Sequence, residues 1–562
     1  MVRRILLNAA FVAALLPLGV ISCSDDNNNN GGTGATGGSG GTGGSGGAGG
    51  APTDGGTTDA KADTPTTGDS GAADRSDAGP MLPDGAVPPS GTQIVPGNCS
   101  LVGVTSDNYA VYTDDTGGTL NVIALSGGMP TMIGTGDDRV AVRGAVVFVW
   151  SGSSRVTQLQ VWTAAHGAKV LGMSTYANAS YVSVSSDGEH ILYFDGLDTG
   201  RTRGNLFISG TDGAGQKQLA DSVVLNDTNC TPALTFGGKG AAGAAFCTAP
   251  PIPEGGTGDG GTGDGGAGDG GMGDAATEAG TDANTDGGMP PVATVQSYSG
   301  ASWTTATIAT NVAPRVAVSP NDMTVLVSAT AGLQAYPVAG GTPTLIDAAG
   351  GFGMFTNDSL SVIYTTPANA LKRSTIASPN PTTLAASGIA GLRAKSPDDK
   401  WVLGYTMIDT RQDLSDLYLT SATMTAMPTT LTTAMTAGLF GSDGFTADSS
   451  HAIYYTDIAN GVGNFFSAAT SAGATPVALG TNVWLHYAGT GSKVVFNDNY
   501  DDATLDGVAD IRVADTAQSA MPTLLVSLAD ANFYIAGSKD KVVYTWKYLT
   551  GSMSGVWVTA VP

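Results

Sequence analysis

Apolar residues in this chain come in short runs broken by Gly, Asp and Ser, and residues 185–219 show the unit: SSDGEHILYFDGLDTGRTRGNLFISGTDGAGQKQL. The turn Ser186-Asp187-Gly188 leads into an apolar strand ending at Tyr193-Phe194. A loop follows, then a strand around Leu206-Phe207-Ile208, a turn at Asp212-Gly213 and a short strand ending near Leu219. Period-two apolar positions between Gly and Asp turns predict an antiparallel meander. The order recurs. Ser396-Pro397-Asp398-Asp399 precedes WVLGY, DLYLTS and PTTL, and Ser319-Pro320-Asn321-Asp322 precedes TVLVS, GLQAYPV and PTLI. Shorter versions begin at Thr356-Asn357-Asp358, Ala447-Asp448-Ser449 and Gly537-Ser538-Lys539-Asp540, and weaker ones sit at SDNYAVYT, RGAVVFVW, GAAFCTA and GSKVVFND.

One residue per copy gives Tyr112, Phe148, Tyr193, Phe246, Val327, Tyr364, Gly404, Tyr454, Phe496 and Tyr544. Without one long Gly-Asp insertion the interval averages about 43 residues, the length of a four-stranded propeller blade. Ser-Pro-Asp-Gly, an aromatic-ended strand, Leu-Tyr and Asp-Gly together resemble the blade repeat of TolB-like β-propellers. The resemblance is best at 185–219 and 396–431 and covers nearly all of 97–562. It implies an all-β propeller and says little of function, because propellers host many. The family's own role is not carried over, since this chain has a linker where those soluble proteins have a separate N-terminal domain. Ten copies exceed the usual four to eight blades; degenerate strands, an unusually large ring and two fused propellers all fit. The last copy, ending GVWVTAVP, is one strand short, and Thr92-Gln93-Ile94-Val95 can supply that strand and close the ring. The repeated aromatics read as packed core, and the Ser-x-Asp groups as turn formers that cap strand ends.

The N-terminus carries an address. Arg3 and Arg4 precede the apolar stretch from Ile5 to Ile21, the layout of a secretory signal. Val20-Ile21-Ser22-Cys23 resembles the lipobox of bacterial lipoproteins. That resemblance implies removal of 1–22, acylation of Cys23 with palmitate-type chains, and attachment to the bacterial cell envelope at the outer membrane. Asn8, Pro17 and Gly19 interrupt the stretch, whereas a spanning helix wants about 20 mostly apolar residues. A retained anchor and an ordinary cleaved signal are the alternatives. Multiple acyl chains hold a protein stably where one holds it marginally.

Composition divides the chain further. Residues 23–96 are rich in Gly, Asp and Thr and bury too little to offset ordering, so they form a disordered linker with a root-mean-square span of about 45–50 Å. A second such segment, 250–291, interrupts the propeller of 97–562; its Asp259, Asp264, Asp269 and Asp274 lack the large apolar residues of a calcium-binding β-helix repeat. These segments hold most of the formal charge of −24, with nine acids against two bases in the first and eight acids and no base in the second. What remains is mildly acidic and has no basic footprint for nucleic acid.

Four cysteines stand in the sequence. Cys230 and Cys247 flank the hairpin ALTFGGKGAAGAAF and are the favoured disulfide, with Cys99–Cys230 as the rival. No Cys-x-x-Cys exists, so zinc or dithiol chemistry is unsupported. Asp502, Thr504, Asp506, Gly507 and Asp510 match positions 1, 3, 5, 6 and 9 of a calcium loop. Position 12 is Val513 rather than Glu, so a solvated acidic loop is the alternative. Calcium is the only cofactor in view. Gly-x-Ser-x-Gly around Ser39 and Ser45 lies in the linker, where no strand–turn–helix elbow forms. His166, His190, His451 and His486 sit in no metal motif, and no catalytic residue is assigned. The expectation is a membrane-anchored, non-catalytic scaffold for an envelope protein or peptide. The alternative is a glycan-binding or glycan-processing propeller with channel carboxylates.

Overall fold

The computed structural model describes residues 86–562 except 152–155, 199–201, 226–230, 239, 249–292, 301, 314, 410–413, 436–443, 460, 502–506, 519–520 and 547–552. Its secondary structure is almost entirely antiparallel strand, with one 3-10 turn at Ala179–Tyr181. The strands group into ten sheets, nine of four strands and one of three. In chain order the sheets span 99–135, 139–176, 183–224, 233–312, 317–347, 353–385, 391–435, 445–483, 486–530 and 533–560, here blades 1 to 10. Blade 8 is the three-stranded one, and there Phe445 alone bridges to Ala452 in the place of a first strand.

Ten apolar clusters decide between one ring and two. Each joins one pair of sequence-adjacent blades: Val111 and Val122 of blade 1 pack with Val147 and Trp162 of blade 2, and Tyr193 of blade 3 packs with Phe148 of blade 2. The series runs without a break through blades 3 to 10. It then closes, because Leu101 and Tyr112 of blade 1 pack against Val543 and Val556 of blade 10. The body is a single ten-bladed β-propeller.

Closure also uses the N-terminal segment. Thr92–Pro96 pairs antiparallel with Gly555–Ala560 and completes blade 10, so the propeller begins at Thr92, inside the segment read as linker. First strands of neighbouring blades lie against one another, Cys99–Val104 beside Arg139–Arg143 and Ser183–Val184 beside Ala233–Phe236, which places them at the hub.

Radial position explains the apolar pattern. Second strands are covered on both faces by neighbouring blades and read as continuous apolar runs, as in Val146–Trp150 and Ser361–Thr365, buried at every residue. Third strands alternate: Arg203–Gly210, Val462–Ala469 and Val508–Asp515 share one burial pattern. The ten repeat residues picked from sequence all fall on second strands, one per blade, and the aromatic ones are buried. Every third–fourth strand pair contains a register shift. Such bulges raise local twist and blunt an outer edge that would otherwise template strand addition.

Candidate functional site

The Ser-x-Asp groups build one face of the ring. In blade 7 the Ser396 hydroxyl donates to Asp398 at 2.7 Å and accepts from the Trp401 N–H at 2.9 Å, while Asp398 accepts from the Lys400 N–H at 3.1 Å. Blades 5, 6 and 8 repeat this with Ser319–Asn321, Thr356–Asp358 and Thr446–Asp448. The residue after the carboxylate or amide is left-handed: Asp322, Ser359, Asp399 and Ser449 have φ of 63°, 61°, 58° and 62°. Short polar side chains tolerate that conformation.

Successive turns bond to one another. The Asn321 N–H donates to the Ser359 hydroxyl at 3.0 Å, the Asn357 N–H to Asp399 at 2.6 Å, the Asp398 N–H to the Ser449 hydroxyl at 3.0 Å and the Asp448 N–H to the Gly491 carbonyl at 3.2 Å. The Ser106 N–H donates to the Gly144 carbonyl at 2.8 Å. These links put all first-to-second-strand turns on the same face. Asp107, Asp187, Asp358, Asp398, Asp448 and Asp540 are exposed there. The Thr356 hydroxyl and the Leu360 N–H hold Asp358 below the usual carboxylate range. Burial opposes the same shift at Asp398 and Asp448, and hydrogen bonds from Ser396 and Lys400, and from Ser450 and Thr446, outweigh it.

The hub has the opposite character. Among the described residues the first strands CSLVGV, RVAVR, SV, ALTF, AV, GMF, GLRAK, HYA and FYI contain no carboxylate and four bases, Arg139, Arg143, Arg393 and Lys395. Lys395 pairs with Asp399 at 2.5 Å, Arg393 lies 4.3 Å over the Tyr405 ring, and burial lowers the pKa of Arg143. Sequence reasoning missed these bases because the inner edge of a blade becomes visible only when the ring closes.

A cleft of about 360 Å³ opens on the same turn face between blades 3, 4 and 5, lined by His190, Gly240, Ala241, Ser299, Gly300, Trp303 and Asp322. His190 stands edge-on to Trp303 at 4.9 Å between ring centres, and the Lys217 ammonium donates to the Ser302 and Trp303 carbonyls.

His486 and His451 are held by hydrogen bonds within the blades. His486 is fully buried with Nδ1 2.8 Å from the Tyr455 hydroxyl. His451 Nδ1 lies 2.9 Å from the Ser450 hydroxyl, which itself donates to Asp448 at 2.7 Å. There the serine stands between the other two groups, whereas an activated serine needs the histidine in the middle.

Of the calcium residues, Asp502, Thr504 and Asp506 lie outside the described residues. Asp510 lies opposite Asp498 in the blade 9 sheet, and Arg512 contacts both, at 3.6 and 2.9 Å. Among the described residues no cluster of three His, Cys, Asp or Glu could hold a metal. Cys23 and Cys230 also lie outside them. Cys247 is disulfide-bonded, and Cys99 keeps a buried thiol that donates to the Gly97 carbonyl at 3.6 Å.

No protein-family model and no curated protein sequence matches the chain. Solved structures match the chain at low similarity. A eukaryotic initiation factor structure is 11% identical, with a TM-score of 0.38, covering 79% of this chain and 91% of that one. The C-terminal WD40 domain of Sif2 is 11% identical, with a TM-score of 0.33, covering 74% and 93%. An oligogalacturonate lyase in complex with manganese is 10% identical, with a TM-score of 0.27, covering 48% and 83%.

Proposed function

We propose that this protein is a lipid-anchored scaffold of the bacterial cell envelope, with a TolB-like ring that binds a protein or peptide without catalysing a reaction. The lipobox-like Val20-Ile21-Ser22-Cys23 supports the anchor, and the long linker behind it supports display of the ring away from the bilayer at the outer membrane. The observation that carries the scaffold reading is the hub. A glycan-processing channel needs two carboxyl groups facing one bond across roughly 5–10 Å, and the described first strands at the hub carry no carboxylate, only four Lys and Arg among aliphatic and aromatic residues.

Two experiments test the two halves. Metabolic labelling with an alkyne palmitate should mark the wild-type chain and leave Cys23→Ser unmarked; an equally labelled variant sinks the anchor. Affinity capture from envelope extracts with the full-length protein should recover a protein partner. Recovery of polysaccharide with no protein would sink the scaffold in favour of a glycan-binding ring.

A further inference from the structure

Large apolar side chains left exposed among the described residues are mostly methionines, and they are not scattered. Met129, Met427 and Met521 are 92%, 91% and 89% exposed, and each begins the tripeptide Met-Pro-Thr at the third-to-fourth-strand turn of its blade. Met424 shares the blade 7 turn with Met427, and Met323 and Leu360 sit on the first-to-second-strand turns of blades 5 and 6. In an antiparallel four-stranded meander those two kinds of turn leave the sheet at the same edge. All the exposed large apolar residues except Val170, Met173 and Met553 therefore lie on one face, on its turns or at the first two residues of the outer strands that follow.

The charge on that face is sorted by radius. First-to-second-strand turns near the hub carry the exposed carboxylates of Asp107, Asp187, Asp358, Asp398, Asp448 and Asp540. The methionine-bearing turns of blades 1, 7 and 9 carry no charged residue. Inner carboxylates thus stand beside uncharged, methionine-bearing outer turns in blades 1, 7 and 9, whereas the outer turn of blade 3 carries the exposed Asp212. Methionine is flexible and polarisable, and it suits surfaces that adapt to a partner's apolar side chains.

We propose that this face is the docking surface for a cationic, amphipathic protein segment, whose basic residues meet the inner carboxylates while its apolar residues pack on the methionine rim. This deepens the scaffold reading and rests on it. Charge complementarity selects the occupant. An envelope bilayer displays anionic head groups, which the net-acidic ring repels, and a neutral apolar partner would leave the carboxylates other than Asp398, which pairs with Lys400 at 3.2 Å, without a cation. The chain enters blade 10 at this same face, because Thr92 pairs near the far end of Gly555–Ala560.

The probes are three 20-residue helical peptides of Lys/Leu, Glu/Leu and Lys/Ser pattern, added to the full-length lipidated protein in phosphatidylcholine nanodiscs, with empty nanodiscs as the blank. The Lys/Leu peptide should bind and weaken by about tenfold or more as salt screens the ring. A Met129→Ser, Met427→Ser, Met521→Ser variant should bind it at least about tenfold less tightly, a change of about 1.4 kcal/mol or more. An Asp358→Asn, Asp398→Asn, Asp448→Asn variant, which keeps three of the six carboxylates, should lose about half of the salt dependence without unfolding, because blade 5 already uses Asn321 in that turn. Peroxide footprinting should oxidise the three rim methionines rapidly, and the Lys/Leu peptide should protect them.

Equal binding of the Glu/Leu peptide, unchanged binding by the methionine variant, or protection of the rim by the bilayer alone would each overturn the proposal. Capture from envelope extracts separates the two levels. A protein recovered equally by wild type and methionine variant removes this face and leaves the scaffold standing, whereas polysaccharide alone removes the scaffold itself.

Discussion

Asn497 offers the sharpest test of how the ring is held together. It follows Phe496 on the second strand of blade 9 and is fully buried. Its Oδ1 accepts from the Trp484 and Leu485 N–H groups at 2.9 and 2.8 Å, on the segment leading into blade 9. Its Nδ2 donates to the Ala531 carbonyl at 3.1 Å, on the segment leading into blade 10. One amide therefore satisfies three backbone groups on two inter-blade connections. Asn497→Ala strips all three of their partner. At about 1–2 kcal/mol for the buried Ala531 carbonyl and about half that for each of the two partly buried N–H groups, the loss is about 2–4 kcal/mol, a large part of the roughly 5–15 kcal/mol of a typical domain. Urea unfolding followed by tryptophan fluorescence reads it directly, since Trp484 supplies one of the bonds.

Asn497→Asp sharpens the reasoning. The carboxylate keeps an acceptor for the two N–H groups but sets its other oxygen against the Ala531 carbonyl. That contact and burial raise its folded pKa. The variant should approach wild-type stability where the group is protonated, and lose ground as pH rises from about 4 through that raised value. Stability relative to wild type should thus be better at pH 4 than at pH 7. If Asn497→Ala lies within about 1 kcal/mol of wild type, the three-bond account is refuted.

Three further outcomes follow from the turns. Because the folded pKa values of Asp358, Asp398 and Asp448 are depressed, their stabilisation is present above the ordinary carboxylate pKa and lost as pH falls through the lowered ones. The urea midpoint should drop below about pH 4, beyond the loss that His451, its pKa lowered by burial, adds as pH falls below about 6.5, and the triple Asn variant should flatten the drop below pH 4. Thr446→Val removes a hydroxyl that donates to Asp448 at 2.8 Å and accepts from the His451 N–H at 3.0 Å; it should cost about 1–2 kcal/mol in urea unfolding, with Thr446→Ser near neutral. Gly537→Ala looks harmless because Gly537 is exposed, yet its Cβ would fall 2.0 Å from the Ser106 carbonyl oxygen across the blade 10–blade 1 junction. It should lower the thermal midpoint by several degrees, consistent with an overpacking cost of about 1–3 kcal/mol.

Local rules made much of this protein legible in its sequence. A turn such as Ser396-Pro397-Asp398-Asp399 is specified within six residues, because the hydroxyl, the carboxylate and the N–H groups they serve are near neighbours. The blade period is legible because each second strand is apolar on both faces. The role of Thr92–Pro96 was readable as a missing strand in the last copy. The Met-Pro-Thr repeat stands in the sequence too, but its meaning depends on exposure.

What the sequence alone determined is the unit: a four-stranded meander with an apolar second strand, a Ser/Thr-x-Asp/Asn turn and a period near that of one blade. Ring size and the sorting of charge belong to the tertiary structure. Ten clusters between ten adjacent blade pairs, the last joining blade 10 to blade 1, make a single large ring rather than two small ones. That outcome rests on the sum of small rotations between neighbouring blades, which no single blade encodes. Closure likewise brings bases from blades 2 and 7 to one hub and gathers turn carboxylates far apart in sequence onto one face.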